Sequence, residues 1–83
     1  MERYYRIARD VHGLSIFTDE KYKTHTEAIV EARKLFKTSI VKPKEIRVSE
    51  WQEGQYIGMT VFVAEKRGRK ITEMFRDGYK VNN

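Results

Sequence analysis

Trp51, Tyr56 and Phe62 carry the richest side-chain chemistry in this chain, because a hairpin over residues 45 to 64 gathers their rings around Arg47. Aromatic rings interleaved with arginine on a sheet face stack planar bases without reading their sequence, and the guanidinium adds cation and stacking contacts. A second cluster follows at once: Lys66-Arg67-Gly68-Arg69-Lys70 places four bases in five residues around a glycine. Such a loop reaches phosphates and gives salt-dependent affinity without specificity. Lys21, Lys23, Lys42 and Lys44 extend the basic surface if the fold brings them near.

Nothing comparable points to catalysis or metal binding. His12 falls in an expected tight turn and His25 in the first turn of a helix, while Asp10, Asp19 and Glu20 keep no acid-base or ligand spacing with them. Ser15, Ser39 and Ser49 lack a nucleophile-elbow context. The glycines at 13, 54, 58, 68 and 78 are isolated and form no phosphate loop. A non-enzymatic module without cofactor, metal or small-molecule substrate is the expectation.

The composition sets the scale. Eighty-three residues suit one small α+β domain, 1–83, with a single core. Hydrophobic residues make up 40% and charged residues 35%, and the mean hydropathy of -0.70 implies a modest interior. Without cysteine there is no disulfide scaffold, thiolate nucleophile or cysteine-based metal site, which fits a reducing, cytoplasmic setting. Met1-Glu2-Arg3-Tyr4-Tyr5 has no continuous apolar run, so neither a signal peptide nor a membrane span is expected and the mature chain is read as the whole chain. Seventeen Lys/Arg against 12 Asp/Glu give a net charge of +5, which attracts polyanions.

The elements that must position these groups follow from periodicity. Residues 3 to 11 alternate, and a two-residue loop at His12-Gly13 pairs Val11 with Leu14 and Ala8 with Phe17. Tyr4, Arg6 and Phe17 then share one face, and Arg9 falls on the apolar face opposite Ile16. Thr24 and Glu27 form a capping box ahead of Ala28, Ile29, Ala32, Leu35 and Phe36, so a helix is expected over about 25 to 38. Its acids come first and its bases last, in accord with the helix dipole. In the second hairpin, a turn at Glu53-Gly54 sets Ile46 opposite Val61 and Val48 opposite Met59 on the core face. The same register sets Trp51 opposite Tyr56 and Glu45 opposite Phe62 on the outer face. Gly58 would leave a low floor between the rings. Ile71, Met74 and Phe75 at helical spacing, with Gly78 as a left-handed cap, give a short helix over about 70 to 77. A third hairpin turning at Arg67-Gly68 is the poorer pattern.

The expected fold is therefore a two-layer ββαββα arrangement: a mainly antiparallel sheet of two hairpins, one principal helix on one face and a short C-terminal helix. The expected function is nucleic-acid binding through Lys66, Arg67, Arg69, Lys70, Arg47 and Arg6, with Trp51, Tyr56, Phe62, Tyr4 and Phe17 as the aromatic face. The alternative is a small protein-interaction factor or inhibitor, with a symmetric homodimer as one form, in which the same aromatic face is the interface. In either reading the basic run has a plain counterpart as a solvated turn that guards strand edges.

Overall fold

The central strand of the sheet belongs to the middle of the chain, and the strand that opens the sequence lies beside it. The computed structural model describes residues 2–40, 42–55 and 57–82. In chain order the elements are β1 (Arg3–Val11), β2 (Leu14–Phe17), α1 (His25–Thr38), β3 (Glu45–Gln52), β4 (Met59–Arg67) and β5 (Lys70–Phe75). The strands form one open antiparallel sheet in the order β2-β1-β3-β4-β5, with α1 packed against β1, β3 and β4 on one face. The class is α+β, with one helix among the described residues.

The helix follows its sequence signals. Thr24 adopts an extended backbone and its hydroxyl accepts the Glu27 amide at 3.2 Å, satisfying a donor that the first turn leaves free. Ala28, Ile29, Ala32 and Phe36 form the buried stripe. These side chains meet Ile7, Ile46, Val48, Val61 and Phe62 of the sheet in one core cluster. The first hairpin has the expected register, Val11 opposite Leu14 and Ala8 opposite Phe17. His12 and Gly13 both take positive φ (53° and 82°), which matches the twist of a two-residue turn.

The second hairpin differs from the expected pairing. Its connection runs from 53 to 58, and Ile46 lies opposite Ala64, Val48 opposite Phe62, and Glu45 opposite Glu65. The register shifts between Val48 and Ser49, where Ser49 meets Thr60 and leaves Val61 as an extra residue on β4. This bulge lets Val61 and Phe62 both enter the core, each 1% exposed. Phe62 is therefore a core residue and not part of the outer aromatic face. Burying a phenyl ring and a valine together gains more than the strict alternation that would have exposed one of them, at about 1.5 to 3 kcal/mol for each large apolar side chain. Met59, expected inside, is exposed, as is Ile57.

The C-terminal segment is a strand, not a helix. Arg67 pairs with Lys70 across Gly68-Arg69, with a positive φ of 63° at Gly68. Gly78 also has a positive φ, but in a turn that follows a strand. Strand pairing puts Glu73 beside Ala64 on the helix side, a charge on the buried face that the apolar pattern argues against. The helix neutralises it: Arg33 Nε and a terminal nitrogen donate to the two Glu73 oxygens, each at 2.9 Å, and that terminal nitrogen also donates to the Val81 carbonyl at 2.8 Å. A bidentate guanidinium-carboxylate pair fixes orientation as well as charge.

A second polar anchor lies at the other end of this face. Glu50 is 9% exposed, and one of its oxygens accepts the hydroxyls of Tyr5 (2.8 Å) and Tyr79 (2.7 Å). Burial pushes its carboxyl upward, but the Tyr79 and Tyr5 hydrogen bonds, with Arg3 and His25 nearby, hold it below its ordinary value. The Tyr5 hydroxyl is pushed up to about 12 by burial and by the Glu50 hydrogen bond and charge.

Two outcomes follow. Phe62→Ala should lower unfolding stability by about 3 to 5 kcal/mol in denaturant titrations, a large share of a small domain's total, while Phe17→Ala should change it by under about 1 kcal/mol. Because Glu50 has its folded value below the unfolded one, its stabilisation is full above the ordinary carboxyl value of 4.5 and is lost as pH falls through the folded value. Tyr5 has the opposite sign: its contribution is full below the ordinary value of 10.0 and is lost as pH rises toward about 12. Thermal melts against pH should fall at both ends, with the acid limb shallower in Glu50→Gln.

Candidate functional site

The face of the sheet opposite α1 carries the sequence-predicted aromatic groups. Pairing of β1 with β3 puts Tyr4 opposite Trp51, Arg6 opposite Ser49 and Ala8 opposite Arg47, and β2 adds Phe17 beside Ala8. Side chains at these positions share the side away from the helix, because Tyr5, Ile7, Ile46 and Val48, which alternate with them, fill the core. Tyr4, Phe17, Trp51, Arg6 and Arg47 thus converge as expected. Tyr56 lies outside the described residues.

The rings and cations form a ladder. Tyr4 stacks on Trp51 with centroids 6.4 Å apart and planes at 13°, and Phe17 meets Trp51 edge-on at 6.3 Å. The Arg6 guanidinium stands 4.7 Å from the Phe17 centroid and 5.5 Å from that of Trp51. Lys21 caps the other end, its ammonium 4.8 Å from the Tyr4 ring. Cations held over aromatic faces at these distances are attracted by the ring quadrupole, so the rings position positive charge at the surface. From the sequence, Lys21 extends the basic surface only if the fold brings it near. The hydrogen bonds between Tyr5 and Tyr22 (2.8 and 2.9 Å) bring its segment back along β1 and place it here.

Beside the ladder is a hollow of about 340 Å³. Its floor is made by the small residues Ala8, Ser49, Gly58 and Thr60, and Phe17, Trp51 and Ile57 form its walls, with Arg47 at one end. The volume lies at the low end of the range for ligand sites. Gly58 lines this hollow but does not lie between Trp51 and Phe62, which is in the core; it admits the Trp51 indole instead, since an added Cβ would sit 2.4 Å from the indole nitrogen. That nitrogen is buried and has no hydrogen-bond partner among the described residues. Arg47 is held by the Ser15 hydroxyl at 2.7 Å and by Glu45 at 3.3 Å, which orients its guanidinium along the face.

The basic run is separate from this site. It forms the β4–β5 turn, and Arg67 and Lys70 lie some eight residues along the strands from the Trp51 level, roughly 25 Å at about 3.3 Å per residue. Between them Asp10, Glu45 and Glu65 align across three strands. Arg67 is engaged with Glu65 at 3.1 Å, whereas Lys66, Arg69 and Lys70 are exposed. Of the basic run, Arg67 and Lys70 share the outer face with the aromatic site, Lys66 alternates to the helix side, and the carboxylate row created by the pairing of distant strands lies between.

Among the described residues there is no group of three or more His, Asp or Glu side chains arranged to hold a metal, and no helix is long and apolar enough to cross a membrane. Gly58→Ala should displace the Trp51 indole, seen as a shifted emission maximum, and lower stability by about 1 to 3 kcal/mol through overpacking; unchanged emission would show that the glycine is not needed for the close approach. Comparison of the chain with protein-family models, with curated proteins and with solved structures finds no match.

Proposed function

We propose that this chain is a non-enzymatic binding module that takes single-stranded nucleic acid on the helix-free face of its sheet. The observation that carries the reading is the hollow beside the Phe17–Trp51 ring pair, lined by the small residues Ala8, Ser49, Gly58 and Thr60 and by Arg47, with Arg6 held over the two rings. A flat base fits against such walls, and rings on a sheet accept any base because each has a π face. Arg6 and Lys21, held over the rings, meet the phosphates on either side of that base. Lys66, Arg69 and Lys70 form a second electrostatic contact at the far end of the sheet, beyond the carboxylate row. The net charge of +5 supports attraction to a polyanion.

A protein interface on the same face is the second reading, favoured by the exposed apolar side chains of Ile57, Met74 and Phe17, which are 83%, 52% and 43% exposed.

The test uses Trp51, the single tryptophan. Titration with single-stranded and duplex oligonucleotides should quench its emission more with single strands, and the quenching should persist at near-physiological salt. Phe17→Ala should weaken single-strand binding by roughly 5- to 150-fold, the range corresponding to one base-aromatic stack. Replacing Lys66, Arg69 and Lys70 together by alanine should reduce the slope of log affinity against log salt by about 2. Absence of quenching together with absence of a shift in a mobility assay would reject the nucleic-acid reading in favour of the protein interface.

A further inference from the structure

The free edge of β2 lacks the protection that isolates sheet edges from one another. Leu14-Ser15-Ile16-Phe17 contains no charge and no proline, and all four residues are exposed. The opposite edge strand, β5, carries Lys70 and Glu73. Natural edge strands are normally blunted by charge, proline or a bulge, and an edge without them is a template for another strand.

The hydrogen-bond alternation shows which groups are available. Thr18 donates to the Ile7 carbonyl at 2.9 Å, and in the same register Ile16 faces Arg9 and Leu14 faces Val11. Even-numbered residues of β2 therefore direct their backbone groups toward β1, and those of Ser15 and Phe17 point away from the sheet. On the helix side of the edge, Leu14 is 67% exposed and Ile16 42% exposed. Ile16 lines a hollow of about 370 Å³ together with Arg9, Val11 and Ile40, and among the described residues α1 makes no contact with β2.

We propose that β2 pairs antiparallel with β2 of a second copy, Ser15 opposite Ser15, making one continuous sheet across a two-fold axis. Faces are preserved across such an axis only when paired residue numbers have an even sum, and this register satisfies that condition. It matches the outward N–H and C=O of Ser15 with the same groups of the second copy. It also sets each Leu14 against the other chain's Ile16 as a closely spaced pair beside the uncovered hollow, so apolar surface exposed in both copies is removed from water together. A second copy fits better than a charged partner because the strand itself has no charge to be matched; the charge nearest the seam is the Arg47 guanidinium that Ser15 holds at 2.7 Å, and it is paired with Glu45 of its own chain. The pairing does not depend on what the outer face binds.

The chain has no cysteine, so Ser15→Cys introduces a single thiol. Directly opposed residues in an antiparallel pair have Cα atoms about 5.5 Å apart, within disulfide range. With diamide as the oxidant, which takes up the two electrons and two protons released by two thiols, Ser15→Cys should give a covalent dimer within minutes. Lys70→Cys on the other edge should not. Sedimentation of the unmodified chain should give twice the 9.9 kDa monomer mass at high concentration. Ile16→Lys should return the mass to that of the monomer while far-UV circular dichroism stays unchanged. If that variant does not fold, hydrogen exchange on the unmodified chain decides: the Ser15 amide should become protected as concentration rises. A monomer mass at every concentration with an unprotected Ser15 amide would overturn the proposal, as would a dimer that Ser15→Cys does not cross-link.

Discussion

The extra residue at Val61 is the constraint on which the remaining structure depends. It admits both Val61 and Phe62 to the core that α1 covers and shifts the β3–β4 register. Everything placed by that register follows. Ala64 lies opposite Ile46, Glu65 aligns with Glu45 and Asp10, and the outer face above Ser49 keeps small groups between its rings. A bulge of this kind also bends the strand that carries it and increases local twist. It sits where the sheet passes from its apolar middle to the level of Trp51.

Two polar anchors then hold the chain's last residues against the layer that α1 and the sheet form. Arg33 joins helix, β5 and the Val81 carbonyl, and Glu50 joins β1, β3 and Tyr79. Both place charge on the buried side, and both are satisfied by several hydrogen bonds, as buried charge requires. Val81 itself belongs to the core cluster, so the segment after β5 contributes apolar packing as well as polar ties.

What was legible in the sequence was the local part. The Thr24 cap, the Ala28-Ile29-Ala32-Phe36 stripe and the His12-Gly13 turn are decided by neighbours within a few residues, and each formed at its expected place. Tyr4, Arg6, Phe17, Arg47 and Trp51 converge because strand alternation survives wherever no bulge intervenes. Phe62 was misplaced because nothing local announces the bulge at Val61; it is selected by the helix packing above it. The strand from Lys70 to Phe75 was hidden for a similar reason. Ile71, Met74 and Phe75 fit a helical period, and the partner that makes Glu73 acceptable on the inner face is Arg33, forty positions earlier. The Asp10-Glu45-Glu65 row, which divides the two basic regions, has no counterpart in any single stretch of sequence.

The order β2-β1-β3-β4-β5 also imposes a schedule on folding. The β1–β2, β3–β4 and β4–β5 pairs are joined by short connections and close locally, but the β1–β3 seam unites residues such as Tyr4 and Trp51 only after β2 and α1 have been laid between them. Closing so distant a pair costs loop entropy before any packing is gained, so that seam carries the largest closure cost of the four strand pairings. During synthesis on the ribosome, β1 and its hairpin partner must wait for β3 to emerge, with the unprotected β2 edge already present and its long-range partner strand still missing.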